Sequence, residues 1–292
     1  MLRGLLLFLA LGAMVSPDEP HPAPALRAQR ASAGDLEIGG DVAGAPGQTR
    51  YLRYEDLLQL PQETYTVNDD SNLPRNTVIS GVALTTLIQL FGQLPDSVLL
   101  VAICSDGYRT NYPRDYLAVH HPLLVLRING KPRDEWPPAP GSASLGPYFI
   151  SHPFFKPAFR VLSHDDEPQI PYGVTRIEIR RESVVFGAIR PPGSWPRGSL
   201  VEQGNQIARQ DCFRCHNSGA EGGRMAGVSW RQMSVIARTN PQRFRMIIRN
   251  PASVRPDAKM PGQPGYDDAT LNALTAYFQT FSGSAAAPRT RP

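Results

Sequence analysis

The residue types best suited to chemistry stand together at Cys212-Phe213-Arg214-Cys215-His216. Two thiols separated by two residues, with an imidazole directly after the second, form the C-x-x-C-H attachment signal of a c-type haem. Cys212 and Cys215 would form thioether bonds to the haem vinyl groups, and His216 would bind the iron as its proximal ligand. The C-x-x-C spacing alone also occurs in thioredoxin-like redox sites and in half of a zinc site, so both alternatives stay open here.

A haem iron bound by one histidine needs a second axial ligand, and methionine is the choice that raises the reduction potential. The methionines after the motif are Met225, Met233, Met246 and Met260. Two of them lie in helical patterns and are better explained as core residues, and Met225 lies too close to the motif. Met260 lies in the irregular, proline-flanked segment 255–264, so we expect a His216/Met260 pair. The alternative is a distal site that is open or bound by histidine.

The first 25 residues predict an export signal. Arg3 supplies a short positive region, and the apolar run 5–15 has the length of a signal-peptide core. The run is shorter than the roughly 18 apolar residues expected of a membrane-spanning helix. A short uncleaved anchor is the alternative. Because bacteria attach c-type haem outside the cytoplasmic membrane, we expect a periplasmic protein with no other membrane span.

The charge of the chain is unevenly distributed. The net charge is +4, but residues from Arg197 onward carry thirteen Lys and Arg against six Asp and Glu, whereas the preceding residues carry seventeen against twenty. This asymmetry predicts two units, the second with a basic face for redox partner proteins. A solvated arginine-rich surface explains it equally well. Only three cysteines occur, which excludes a disulfide scaffold, and no nucleic-acid-binding motif is present.

Composition also suggests where the two units begin and end. Residues 26–50 are rich in Pro, Ala and Gly without any period and predict a flexible leader. Residues 51–186 predict an α+β domain in which strands dominate. A proline-rich linker follows at 187–198, then a helical domain at 199–283 and a disordered tail at 284–292.

Hydrophobic periodicity predicts the main elements of both domains. In the first domain it indicates an amphipathic helix over 82–91, a buried strand over 97–104 and a short helix over 113–119. Further strands are predicted at 123–128, 148–151, 159–163 and 174–179. In the second domain, helices are predicted at 200–209, at 241–249 with an Asn240 cap, and at 267–281.

Five features of the second half follow one another in a fixed order. They are Gly204, the C-x-x-C-H motif, IIRNP at 247–251, Lys259-Met260-Pro261 and a last helix bearing Tyr277. This order resembles a class I cytochrome c domain over about 198–283. The resemblance implies that Gly204 crosses Tyr277 and that the domain transfers electrons. One departure is a missing proline near Ala226-Gly227, which leaves His216 without an assigned hydrogen-bond partner.

A second set of features lies in the first half. The set comprises GVALTTLIQLFG at 81–92, Ser105-Asp106-Gly107-Tyr108, residues 113–117, LLVLRINGKP at 123–132 and residues 146–151. It resembles the molybdopterin-binding domain of sulfite-oxidase-like oxidoreductases and its short standalone relatives. These are fold-determining residues, so the resemblance speaks more for fold than for activity.

Cysteine placement separates this chain from that family. The family's molybdenum-ligating cysteine precedes the helix that corresponds to 81–92, and residues 65–72 of this chain contain no cysteine. Cys104 comes after that helix, at the end of an apolar strand. We therefore expect Cys104 to be a buried structural residue and the first domain to hold no molybdopterin.

The histidines of the first half show no metal-ligand spacing, and we expect His120, His121, His152 and His164 to be structural or solvated. The leading hypothesis is therefore an exported electron-transfer protein with one covalent haem c. Its first domain would serve for docking or small-molecule binding. The alternative is a molybdopterin-dependent dehydrogenase that passes substrate electrons to its own haem. A third possibility is that the first domain tethers the cytochrome within a larger respiratory complex.

Overall fold

The computed structural model describes residues 24–92, 98–139, 141 and 144–281. The predicted export signal, except for its last two residues, and the predicted tail at 284–292 lie outside the described residues. Within the part of the chain that is described, no helix is long and apolar enough to cross a membrane.

A nine-stranded sheet with short helices forms the first domain. Its strands are β1 (Leu36–Gly40), β2 (Arg50–Leu52), β3 (Glu63–Val67), β4 (Thr77–Ala83), β5 (Val98–Cys104), β6 (Arg109–Pro113), β7 (Leu123–Ile128), β8 (Tyr148–Ser151) and β11 (Tyr172–Arg181). The order is β2-β1-β11-β8-β7-β4-β3, and β5 pairs with both β11 and β6. All pairs are antiparallel except β1 with β11. The predicted α+β class is confirmed.

The helices of this domain are short and lie at strand ends. They are α1 (Tyr54–Leu57), α2 (Leu84–Phe91), α3 (Arg114–His120) and α4 (Glu182–Val185). Helix α2 begins two residues later than predicted because Val82 and Ala83 complete β4 and pair with β7. The strand predicted at 159–163 is a two-residue strand, β9 (Arg160–Val161), paired with β10 (His164–Asp165).

The prediction of a flexible leader at 26–50 is wrong for its second half. Strand β1 lies inside the sheet, with Ile38 opposite Ile177 of β11. Leu36 and Ile38 are both buried, and the Tyr148 hydroxyl donates a hydrogen bond to the Gly34 carbonyl at 2.9 Å. The strand contributes only two large apolar side chains, so the surrounding Pro, Ala and Gly residues obscured its two-residue period.

Strand β5 is buried on both of its faces. Leu100, Ala102 and Cys104 point into the core of the first domain, together with side chains of α2 and α3. The alternate residues Leu99 and Val101 belong instead to the core of the second domain. Successive side chains of a strand point to opposite faces, so the continuous apolar run of β5 reflects two cores on either side of one strand.

Helices form the second domain, as predicted. They are α5 (Leu200–Gln210), α6 (Trp230–Thr239), α7 (Pro241–Arg249) and α8 (Asp268–Gln279), with a short hairpin of β12 (Asn217–Ser218) and β13 (Glu221–Gly222) between α5 and α6. Side-chain oxygens of Ser199, Ser229, Asn240 and Asp267 accept a backbone N–H at the four helix starts. Each such cap satisfies a donor that the first turn leaves free.

The first and last helices of this domain cross at Gly204, as the resemblance implied. A methyl group added at Gly204 would lie 2.1 Å from the Ala273 carbonyl oxygen and 2.7 Å from Tyr277 Cβ. Only glycine therefore permits this approach of α5 to α8. The Tyr277 hydroxyl donates to the Ile189 carbonyl at 2.6 Å, and Ile189 is buried. The first residues of the predicted linker thus pack against the helices of the second domain.

Polar contacts also cross between the domains. Glu221 of the hairpin accepts from Arg109 at 2.8 Å and from Arg180 at 2.5 Å, both on the sheet of the first domain. The Arg224 backbone N–H donates to the Gly107 carbonyl at 2.8 Å. We call this contact region, with the Leu99 and Val101 face of β5, the domain seam. It brings the β5–β6 turn onto the loop that follows the C-x-x-C-H motif.

Replacing Gly204 by alanine tests the crossing of α5 and α8. We expect Gly204→Ala to lower the free energy of unfolding by about 2 kcal/mol, because the added methyl group overpacks a backbone contact that neither helix can relax alone. Urea denaturation of the purified protein measures the change. Gly187→Ala is the matched control, since a methyl group there meets nothing within 4 Å. Equal stabilities of the two variants would contradict the packing.

Candidate haem site

The C-x-x-C-H motif lies in a tight turn at the end of α5. Cys212–Arg214 form one turn of 3-10 helix, and the His216 backbone N–H donates to the Cys212 carbonyl at 3.0 Å. Cys212 and Cys215 are free thiols, each partly exposed. Gly223 closes the loop after the motif, since a methyl group there would lie 1.8 Å from the Arg214 carbonyl oxygen.

The His216 ring is held by a backbone carbonyl that the sequence did not identify. Its Nδ1 lies 2.6 Å from the Val228 carbonyl oxygen. A carbonyl can only accept, so Nδ1 carries the proton and Nε2 is the unprotonated nitrogen. Val228 thus takes the bracing role left unassigned by the missing proline, and this hydrogen bond orients a metal-binding imidazole. Any residue type supplies a carbonyl, so no side-chain pattern could have indicated it.

Burial sets the protonation state of His216. The side chain is buried, and this burial lowers its pKa below the ordinary value, while the Val228 carbonyl and Asp211 act in the opposite direction. The neutral imidazole that results is the form that binds metals.

The environment of the two thiols favours one of the three chemistries that their spacing allows. Burial raises the pKa of Cys215 to about 11 and that of Cys212 well above its usual value. Thiol–disulfide exchange of the thioredoxin type needs a lowered thiol pKa, so that alternative is disfavoured. Among the described residues, no group of three or more His, Cys, Asp or Glu side chains is placed to hold a metal ion, which disfavours a zinc site.

Met260 lines a cavity at the C-terminal end of α7. The cavity has a volume of about 530 Å³ and is lined by Met260, Arg249, Asn250, Pro251, Ala252, Gly262 and Pro264. Asn250 and Pro251 belong to the IIRNP segment that carries part of the cytochrome resemblance. His216 is not among these lining residues. Met225, the methionine set aside on sequence grounds, has its Sδ 4.0 Å from Cys215 Sγ and is about half exposed.

The residues of the motif fit a covalently attached haem. The donor set comprises two free thiols with the attachment spacing and one neutral imidazole whose Nε2 is unprotonated. Cys212 and Cys215 would hold the porphyrin, and His216 would bind its iron. Met260 offers a thioether beside a cavity in the segment where the sequence places the second ligand.

Cys104 is a core residue of the first domain, where its side chain packs with those of β5 and α2. Burial raises the pKa of its thiol well above the usual value. A molybdenum ligand would have to be a thiolate, which this apolar setting disfavours.

Three of the four histidines of the first domain have structural partners. The fourth, His121, is exposed. His120 Nε2 lies 3.0 Å from Asp166, and the His120 ring stacks on Phe155. His164 hydrogen-bonds Gln210 and Tyr266 across the domain seam.

His152 is buried in a polar cluster around Tyr116. The Tyr116 hydroxyl accepts the Gln169 backbone N–H at 2.8 Å and lies 2.8 Å from His152 Nε2. These two contacts of the hydroxyl fix the position of the His152 ring within the cluster. Burial lowers the pKa of His152 to about 3, and the neighbouring His120 acts in the same direction.

Comparison with known proteins identifies the second domain. Residues 199–278 match the family model of cytochrome C oxidase, cbb3-type, subunit III. These residues form a cytochrome c domain, and the predicted two-part organisation, with a β-rich first domain, is confirmed. A comparison with curated proteins finds no match.

Among solved structures, the chain is similar to the sulfane dehydrogenase SoxCD from Paracoccus pantotrophus. The two share 18% sequence identity with a TM-score of 0.35, over 53% of this chain and 40% of the SoxCD chain. The similarity thus spans less than half of that protein. A likeness of this size supports no conclusion about the activity or the cofactor of this chain.

The buried His152 predicts a pH dependence of stability. The pKa of a histidine is 6.5 in the unfolded chain and about 3 here, so protons bind the unfolded state preferentially. Stability from this group is complete above pH 6.5 and is lost as the pH falls toward 3. Between about pH 7 and pH 5, we expect the wild type to lose about 2 kcal/mol more than His152→Gln. Urea denaturation at both pH values measures this, and parallel losses would show that His152 is not buried in its neutral form.

Proposed function

We propose that the protein is an exported electron-transfer cytochrome that carries one covalent haem c on Cys212 and Cys215, with His216 and Met260 as axial ligands. The observation that carries the proposal is the His216 ring, which Val228 orients beside two free thiols of attachment spacing. The family match of residues 199–278 supports electron transfer by this domain. Export follows from the signal-like residues 1–25 and from the need to attach haem outside the cytoplasm.

Individual residues around the motif would have separate roles in this function. The bound haem would supply one-electron exchange between donor and acceptor proteins. Val228 keeps the proton on Nδ1 of His216 and so leaves Nε2 unprotonated. Met260 would hold the iron together with His216, which would leave no coordination site for a substrate and would favour outer-sphere transfer. The apolar core around Phe213 and Trp230, whose rings meet edge to face, keeps water from the turn that bears the motif.

We propose that the redox partner is a protein that docks through an acidic surface. Helices α6 and α7 present exposed arginines, namely Arg231, Arg238 and Arg243. Like-signed charges on neighbouring helices raise the rate of encounter with an oppositely charged partner, and this effect weakens with salt. If the partner docks on this face, the association rate constant should fall steeply as the ionic strength rises.

Replacing the two cysteines tests covalent attachment. When the chain is produced with the periplasmic haem-maturation machinery, we expect the wild type to carry one iron and one covalent haem per chain. Cys212→Ser/Cys215→Ser should carry no covalent haem, because serine forms no thioether. Intact mass and iron analysis measure both. Cys104→Ser is the control and should retain the haem.

The same samples test the dehydrogenase alternative. Molybdenum at one atom per chain, or reduction of the haem by sulfite, would contradict the proposal of a pure electron carrier. Absence of covalent haem from the wild type would contradict the proposal as a whole.

The second axial ligand has its own test. Met260→Leu should lose the long-wavelength sulfur-to-iron absorption of the ferric protein, and Met260→His should lower the midpoint potential, because a methionine ligand raises it. Met225→Leu is the matched control, since its sulfur lies beside Cys215, and it should keep both properties. If the absorption is lost in Met225→Leu and kept in Met260→Leu, then Met225 is the ligand.

A further inference from the structure

A buried guanidinium lies inside the haem attachment motif. Arg214 stands between Cys212 and Cys215, and its side chain is only 9% exposed. Its Nε donates to the Gln210 carbonyl at 2.5 Å, but its Nη2 is buried without a hydrogen-bond partner among the described residues. Most arginines in proteins are exposed to solvent. Burial of the Arg214 cation costs desolvation free energy, which nearby carboxylates and hydrogen bonds must offset.

The partners of Arg214 come largely from the first domain. Its Nη1 lies 3.5 Å from the Glu167 carboxylate, and Tyr108 of the β5–β6 turn interacts electrostatically with its guanidinium. Glu167 and Tyr108 both precede the linker, whereas Arg214 follows it. The domain seam therefore controls the surroundings of a charge that the haem motif carries.

A second carboxylate completes the cluster from the cytochrome side. Asp211, directly before Cys212, accepts a hydrogen bond from the Tyr266 hydroxyl at 3.1 Å, and this hydroxyl also lies 2.6 Å from His164 Nδ1. Gln263 donates to the same carboxylate oxygen at 3.3 Å. Asp211 and Glu167 both act electrostatically on Arg214. The Arg214 guanidinium is thus influenced by two carboxylates, Asp211 and Glu167, and by Tyr108, while Tyr266 links Asp211 to His164.

We propose that this cluster lets the first domain set the reduction potential of the haem, with Arg214 raising it and Glu167 lowering it. The inference rests on the proposed function, since it assumes haem on Cys212 and Cys215. Arg214 and Glu167 are positioning residues: neither binds the iron, and both act through charge.

The direction follows from electrostatics. Reduction adds one negative charge at the iron, so a nearby cation favours the reduced state and a nearby carboxylate favours the oxidised state. Charges on an exposed surface are screened by water and salt, but the Arg214 side chain is only 9% exposed and so keeps more of its effect than Glu167, which is 38% exposed. The haem is tied to both neighbours of the Phe213-Arg214 pair, so the cluster cannot lie far from it.

The experiment is a spectroscopic redox titration of the full-length haem protein at about pH 8, a pH well above the ordinary carboxyl range that is chosen because burial raises the pKa of Glu167. We expect Arg214→Gln to lower the midpoint potential and Glu167→Gln to raise it. Arg214→Lys should keep most of the wild-type value because it keeps the charge. Arg245→Gln is the matched control: it removes one arginine from a surface ion pair with Asp268 and should shift the potential little.

Opposite signs separate a charge effect from a structural one. Substitutions that merely loosen the seam would admit water to the haem in both variants and shift the potential in the same direction. Shifts of equal sign, or a Glu167→Gln shift no larger than that of Arg245→Gln, would overturn the inference. If Arg214→Gln fails to mature, Arg214→Lys and the isosteric Glu167→Gln still decide it, with urea denaturation reporting any loss of stability. Covalent haem with unchanged potentials refutes this inference alone, whereas a wild type without haem refutes the proposed function as well.

Discussion

Burial of β5 on both faces is the constraint on which the arrangement of the protein depends. One set of its side chains, Leu100 and Ala102, completes the core of the first domain, and the alternate set, Leu99 and Val101, completes the core of the cytochrome domain. Neither domain can be removed without exposing a continuous apolar surface, which soluble proteins rarely present. The cytochrome is therefore held against the sheet at one place, and the β5–β6 turn lies on the haem motif as a consequence.

Much of this fold was predictable, but its contacts were not. The apolar run ending at Cys104 correctly indicated a buried strand, and the cytochrome resemblance correctly implied that the helices of Gly204 and Tyr277 cross. Strand β1 was missed because Leu36 and Ile38 are a weak signal within residues of loop composition. Periodicity reports that a face is apolar, but it does not report which partner covers it. The second core on β5 could not have been anticipated from the strand itself.

The candidate site shows the same division between residue type and environment. The spacing of Cys212 and Cys215 is compatible with three chemistries, and the raised thiol pKa values, which burial causes, disfavour the thioredoxin-like one. The orientation of His216 depends on the Val228 carbonyl, an atom that every residue possesses. Sequence patterns thus identify ligands well, because side-chain chemistry is specific. Sequence patterns are poor at identifying the groups that orient those ligands, because backbone atoms are the same in every residue.

The first domain has a physical role, whether or not it binds a cofactor, if it fixes the charge around the motif. Arginine suits the position of Arg214 better than lysine would, because its planar fork can donate to the Gln210 carbonyl while facing Glu167. In an isolated cytochrome domain this guanidinium would be exposed to water, which would form hydrogen bonds with it and screen its charge. Packing against the sheet replaces that water with fixed dipoles and one carboxylate, and fixed groups hold an electrostatic field that solvent would average away. The double burial of β5 is what makes such a field possible.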